Sequence, residues 1–418
     1  MIQVRDGALE AWVPRGLISN IKGLDGRATP EGLVPVKVVW RQGRLQQFKV
    51  IQKCREGPKS FVLPRLAEIH AHLDKAFTWT EAHNLQGTYE EALIANFVEH
   101  RSRSLSKVRQ RASKALERAL QFGLRAVRSH VDSLGPAAEE SWEALLELRD
   151  EWLDRIELQL VALRPLEHWG TSEGKHFARK IAGFGGMLGA PLAPPFDPRH
   201  SPQSLREMLQ LADQLGCAVD LHIDEAQTSP AAGLKLLVRI LDQHSIQVPI
   251  TCSHASSMSL LPTKPLRQLA ERLASHDVGV VALPLTNAWL LGRQIGKTPV
   301  QRPIAPIKQL QAAGVKVAVG GDNVQDPWFP GGDFDPLALM AMAVPLAQLA
   351  PWQRLGLSPF TTASAQLMRL DWDGMLLPEA PADLIVLEAG SWAEALASRQ
   401  SRRILVGGEW LNSKGHLA

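Results

Sequence analysis

Apolar runs and helical stripes alternate along the middle of the chain. Eight runs read as strands: Leu66 to His72, Leu124 to Arg128, Ile156 to Leu163, Ile181 to Leu188, Cys217 to Ile223, Val248 to Cys252, Val278 to Leu283 and Val315 to Val319. Between and after them, apolar residues recur at helical spacing over 90–121, 138–154, 168–180, 202–215, 230–244, 264–276, 303–313 and 335–348. Ser201-Pro202 marks a helix start, and Gly123, Gly216 and Gly314 fall where left-handed C-caps are wanted. Eight strand-helix units predict an α/β fold, a (β/α)8 TIM barrel, whose doubly buried strands read as continuous apolar runs.

The two ends of the chain are β-rich instead. Val34 to Trp40 and Gln47 to Ile51 flank a turn at Gln42-Gly43, and Pro35, which cannot donate to a ladder, predicts that the first is an edge strand or starts after it. Asp383 to Leu387 reads as a strand, and Arg403 to Trp410 as a hairpin turning at Gly407-Gly408. These segments predict a small β domain from 1–58 plus 376–418, with the barrel at 59–375.

Composition is that of an ordinary globular chain: 418 residues, 45% hydrophobic and 21% charged. A net charge of +3 gives no reason to expect nucleic acid, and the basic run Arg101 to Arg118 reads as a solvated helix face. Cys54, Cys217 and Cys252 form no CxxC pair, and Met1 to Asp6 lacks a signal-peptide pattern, so a reducing cytoplasm is expected. No apolar run approaches the ~20 residues that cross a bilayer, so no membrane partner is expected. A homo-oligomer remains open.

The chemistry gathers where a barrel puts it, at the C-terminal ends of the strands. Strand one ends in His70 and His72, which at i, i+2 project to one face. Strand two runs into His130 and Asp132, strand five into His222, Asp224 and Glu225, strand six into His254, and strand eight into Asp322 and Asn323. His70, His72, His222 and Asp322 make a set for one divalent metal, zinc or iron, with room for water. A bound ion brings the water pKa from ~16 towards ~7. Asp322 would touch the metal and accept the water proton, Glu225 would carry it to a ring nitrogen or leaving amine, and His254 would bond the hydroxide and developing oxyanion. His130 and Asp132 read as hydrogen-bonded supports, and Asp224 as either a support or a structural residue. The same parts suit phosphoester hydrolysis, but that chemistry often uses two metals, and strand four shows no bridging lysine.

The chain resembles the amidohydrolase superfamily, and within it the cytosine deaminase group. The resemblance rests on His70-Ala71-His72-Leu73-Asp74, Ser129-His130-Val131-Asp132, His222-Ile223-Asp224-Glu225, Ser253-His254-Ala255-Ser256-Ser257-Met258, Pro284-Leu285-Thr286-Asn287 and Gly321-Asp322 to Trp328. It implies a β-sandwich from both termini, iron or zinc at His70, His72, His222 and Asp322, Glu225 as proton shuttle and His254 as the residue orienting hydroxide. Against the cytosine enzymes, Leu163 to Glu167 has no glutamine, Asn323 stands for a second aspartate, and Trp289 and Leu291 replace polar groups. The strand-four end, placed at Gly185 to Gly189, lacks an aromatic-acidic cluster. Unmatched polar groups discriminate sharply between substrates, so the substrate is expected to differ from cytosine.

These readings predict hydrolysis of an exocyclic amine, or a ring C–N bond, of a small nitrogen heterocycle. Removal of an N-alkylamino group or opening of a cyclic amide is the alternative, and a non-catalytic binding or scaffold protein is a third. Lys75, Arg164, Asn323 and Trp328 are expected to meet the substrate; Lys75 and Arg164 would favour a carbonyl-rich or carboxylate-bearing one.

Overall fold

The computed structural model describes residues 5–19, 28–52, 57–397 and 401–412; Cys54 and the first residues of the expected leader-free N-terminus lie outside them. In chain order the strands are β1 Gly7–Pro14, β2 Leu33–Arg41, β3 Arg44–Val50, β4 Phe61–Pro64, β5 Leu66–Ala71, β6 Leu124–Asp132, β7 Glu157–Leu163 and β8 Met187–Leu192. They continue with β9 Val219–Ile223, β10 Ile250–His254, β11 Gly279–Ala282, β12 Val317–Val319, β13 Leu384–Leu387, β14 Arg402–Val406 and β15 Glu409–Trp410.

β5 to β12 form one eight-stranded sheet in sequential order, parallel at each of the pairs from β7 to β12. A parallel bridge between Ala71 and Asp322 joins its two edges, with Asp322 N–H donating to His70 O at 2.9 Å. This is a (β/α)8 barrel. Its helices include α1 Tyr89–Arg101, α2 Leu105–Phe122, α3 Ala138–Trp152, α4 Ser172–Gly183, α5 His200–Leu215, α6 Ala232–Gln243, α7 Thr263–Ser275, α8 Pro284–Leu290 and α9 Ile307–Ala312. Gly216 ends α5 at φ +62°, a conformation that a side chain disfavours. Among the described residues no helix is long and apolar enough to cross a membrane, and the buried Cys217 and Cys252 are free thiols.

The ends of the chain meet in a seven-stranded mixed sheet ordered β15-β14-β13-β4-β1-β2-β3. Two compact units result. One runs to Glu68 and takes in Leu116–Ala126 and Phe334 onward; the other comprises Ile69–Ala115 and Val127–Asp333.

Three local expectations are corrected. β2 is not an edge strand and contains Pro35, which faces Trp12 of β1. Pro35 O accepts from Ile51 N, one residue past the end of β3, so the missing N–H lies beyond the paired part of that ladder. The fourth barrel strand starts at Met187, because Ile181 to Gly183 finish α4 and Gly185 turns at φ +68°. Its end is therefore Ala190 to Leu192, not Gly185 to Gly189. The single helix expected over 90–121 is broken at Ser102 to Ser104 into α1 and α2.

That break turns part of the basic run inward. Arg103 is buried and pairs with Glu99 (2.7 Å), Asp74 (2.8 Å) and Asp132 (2.9 Å), while Arg111 pairs with the other oxygen of Glu99 at 2.7 Å. Removing one member of a buried charge network strands the others in a low dielectric. Arg103→Met is therefore expected to lower the unfolding free energy by about 3–5 kcal/mol. The check is a downward shift of the urea midpoint; an unchanged midpoint would mean that the network contributes nothing net.

Candidate metal centre and active site

β5 delivers His70 and His72 to one side of the sheet. Each imidazole is held by its Nδ1. His72 Nδ1 donates to His130 O at 3.2 Å. His70 Nδ1 donates to Ser253 Oγ at 2.8 Å, and that hydroxyl donates to Asp220 Oδ1 at 3.0 Å. These bonds fix the tautomers and turn both Nε2 lone pairs to the same place. Asp322 Oδ1 lies 3.3 Å from His72 Nε2 and 3.5 Å from His70 Nε2. His222 Nε2 lies 3.5 Å from His72 Nε2. His70, His72 and Asp322 form one group with ligand atoms within 4.8 Å of one another, and His70, His222 and His254 another.

Burial governs the charge of these groups. It holds His72 and His254 down to about 3 and His70, His130 and His222 well below the usual histidine range, so all are neutral at pH 7. Neutral imidazoles aim lone pairs at a carboxylate oxygen across 3.3–3.5 Å, an apposition of acceptors that a cation between them relieves. Ligand atoms about 2.1 Å from a tetrahedral metal stand roughly 3.4 Å apart. The residues present therefore fit a divalent cation.

Around this set stand the proton-handling candidates. Glu225 Oε1 is 3.5 Å from His254 Nδ1, which also faces Asn287 Nδ2 at 3.0 Å. Burial, then the charge of Asp322, raises the Glu225 carboxyl well above its ordinary value. Burial raises Asp322 too, against the pull of His254. His254 and Asp322 adopt φ of +70° and +64°, strained for side-chain-bearing residues and common at functional sites.

A cavity of about 380 Å³ opens over the set; its lining includes His72, His222, Glu225, His254, Asp322 and Trp328. Lys75, Arg164 and Asn323 also line it, but each has a protein partner. Lys75 Nζ pairs with Asp132 at 3.1 Å; burial opposes its charge, but Asp132, Asp74 and Asp326 outweigh that and raise its pKa. Arg164 bonds Ser133 O, His168 and Glu173. Asn323 Nδ2 donates to Asp326 Oδ2 at 2.8 Å. Trp328 meets Tyr89 edge-on at 5.0 Å. His130 stacks on His70 at 3.8 Å. Asp224 accepts from Gly233 and Leu234 N–H at 2.8 Å each, a structural role at the start of α6. The sequence reading gave Ser253 no role and missed Asp220 and Arg128, whose guanidinium pairs with Asp220 at 2.8 Å.

The family model for amidohydrolases matches residues 82–409. A pterin deaminase of Rhizobium rhizogenes is 30% identical over 351 residues, 82% of this chain and 79% of the relative. The crystal structure of 5-methylcytosine deaminase from Klebsiella pneumoniae superposes with a TM-score of 0.81 at 22% identity, covering 97% of this chain and 98% of that one. N-isopropylammelide isopropylaminohydrolase from Burkholderia multivorans follows at 0.73 and 22%, covering 98% and 100%.

Ser253 holds His70 in its tautomer. Ser253→Ala is expected to weaken zinc binding about 10–100-fold, read by competition with a chromophoric chelator. Unchanged affinity would remove His70 from the ligand set.

Proposed function

The chain belongs to the amidohydrolase family, and from that premise we propose that it is a metal-dependent deaminase that hydrolyses the exocyclic amine of a small, planar nitrogen heterocycle. Cleavage of a carbon–nitrogen bond is the chemistry its relatives share by name. The observation that carries the reading is Glu225: a carboxyl biased towards its protonated form, 3.5 Å from His254 and lining one cavity with His72, His222 and Asp322.

His70, His72, His222 and Asp322 would hold the cation, and zinc and iron both suit three imidazoles and a carboxylate. A divalent cation at such a set makes water nucleophilic at neutral pH by bringing its pKa towards ~7. The rest is work for this chain's own groups. Asp322 accepts the first proton of the attacking water on a carboxylate oxygen. His254 faces the oxygen on which charge develops and stabilises it by a hydrogen bond. Glu225 protonates the ring nitrogen next to the attacked carbon, then helps to transfer the second proton to the departing amine. A C–O bond forms and the exocyclic C–N bond breaks. One water proton ends on the ring nitrogen and the other on ammonia, leaving a lactam.

Pterin, 5-methylcytosine and N-isopropylammelide form the first panel, being the compounds that the relatives' names contain. The expected result is ammonia from at least one amine-bearing ring, about one divalent metal per chain, loss of activity on chelation and recovery with zinc or iron. Alkylamine release alone would replace deamination by N-alkylamino hydrolysis. Glu225→Gln is expected to lower kcat about 10²–10⁴-fold with the metal retained; a wild-type rate would remove Glu225 from the reaction.

A further inference from the structure

α1 buries the wrong residues for an ordinary amphipathic helix. Asn96, Glu99 and His100 are turned inward, while Ile94, Phe97 and Val98 are more than half exposed. Glu99 is accounted for by Arg103 and Arg111. Asn96 Oδ1 and His100 Nε2, among the described residues, are not. They stand four residues apart on one helix face, at 9% and 6% exposure, and both line the cavity that holds Glu225 and Asp322.

The orientation of the Asn96 amide is fixed. Its Nδ2 donates to Asp132 Oδ2 at 3.3 Å, and an ionised carboxylate only accepts, so the NH2 group belongs on that side. Asp132 is in turn held by Lys75 and Arg103. Oδ1 therefore points away from Asp132, and among the described residues no donor reaches it. His100 Nε2 is likewise buried without a partner. Its ring sits against Gly135, where an added Cβ would come within 2.7 Å of Nε2. At the end of β7, Arg164, which lines the same cavity, is committed to Ser133 O, His168 and Glu173.

We propose that Asn96 Oδ1, with His100 beside it, determines specificity by accepting a hydrogen bond from an N–H on the substrate ring. The substrate class is thereby narrowed to heterocycles that carry a lactam-type N–H or a second amino group as well as the amine that leaves. The inference rests on the deaminase reading above and deepens it.

The test compares wild type with Asn96→Ala and His100→Ala, each as metal-loaded full-length enzyme. The probe is the best-processed compound of the panel, or pterin if none is processed, paired with its ring N-methylated form. Two quantities are read: kcat/KM, and calorimetric binding of the deaminated lactam and its N-methyl analogue. Wild type is expected to prefer the N–H form by at least about 100-fold. In Asn96→Ala that preference should fall to within about threefold, mainly through KM, with Tm unchanged; His100→Ala should reduce it less. A general loosening of α1 would weaken both ring forms equally and leave the ratio intact, which would overturn the proposal. Equal binding of both forms by wild type, or binding of neither, would overturn it as well. Lack of turnover by wild type counts against the deaminase reading alone, because lactam binding still decides the role of Asn96.

Discussion

A backbone hydrogen bond closes the barrel at the candidate site: Asp322 N–H to His70 O, at 2.9 Å. Without that seam the first and last strands of the sheet are its two open edges. With it, the carboxylate after β12 faces the imidazoles of β5 at 3.3–3.5 Å. Side chains some 250 positions apart in sequence become neighbours because a parallel sheet of sequential strands can pair its last edge with its first. The left-handed backbone at Asp322 follows from the same seam, since the residue must pair with strand one and still turn its carboxylate inward.

Closure also dries the site, and drying sets the charges. Five imidazoles packed around one point would repel if protonated; burial keeps them neutral and their lone pairs available. The same desolvation acts on Glu225 with the opposite consequence, raising its carboxyl above the ordinary range. Base-like histidines and an acid-like glutamate thus arise from one environment. The buried guanidiniums of Arg103 and Arg128 offset the cost for Asp74, Asp132 and Asp220, so the remaining carboxylates beneath and beside the site have partners.

Much of this was legible in the residue order. His70 and His72 stand out because a strand alternates, and the polar groups at the ends of β9, β10 and β12 stand out because apolar runs stop there. Other parts left no comparable trace. Asp220 and Ser253 lie inside strands, and their purpose appears only when β9 and β10 are paired side by side. Pro35 breaks a ladder rule on paper, but its register puts the missing donor past the end of β3. Lys75 and Arg164 look like free cations in sequence, whereas their carboxylate partners come from the end of β6 and the first turn of α4. The inward face of α1 was hidden because it mixes Ala92 and Ala95 with Asn96, Glu99 and His100 while Ile94, Phe97 and Val98 face outward, so periodicity puts its polar residues on the wrong side.

The proposed reaction and the proposed recognition thus draw on different elements of one cavity. The groups proposed to react lie at or just beyond the strand ends, His254 closing β10, Glu225 two residues past β9 and Asp322 bonded to strand one by its backbone. The groups proposed for recognition, Asn96 and His100, sit on a helix entered after a long loop from β5. α1 is seated by Tyr89 and Ala92 against Leu290, Leu291 and Trp328 and anchored at its far end by the Glu99–Arg103–Arg111 network. Changes on its inner face can alter what is bound without disturbing the seam at Asp322. Trp289 and Leu291 belong to the packing that seats this helix. Their apolar character is thus explained by the packing against Tyr89 and Ala92 of α1.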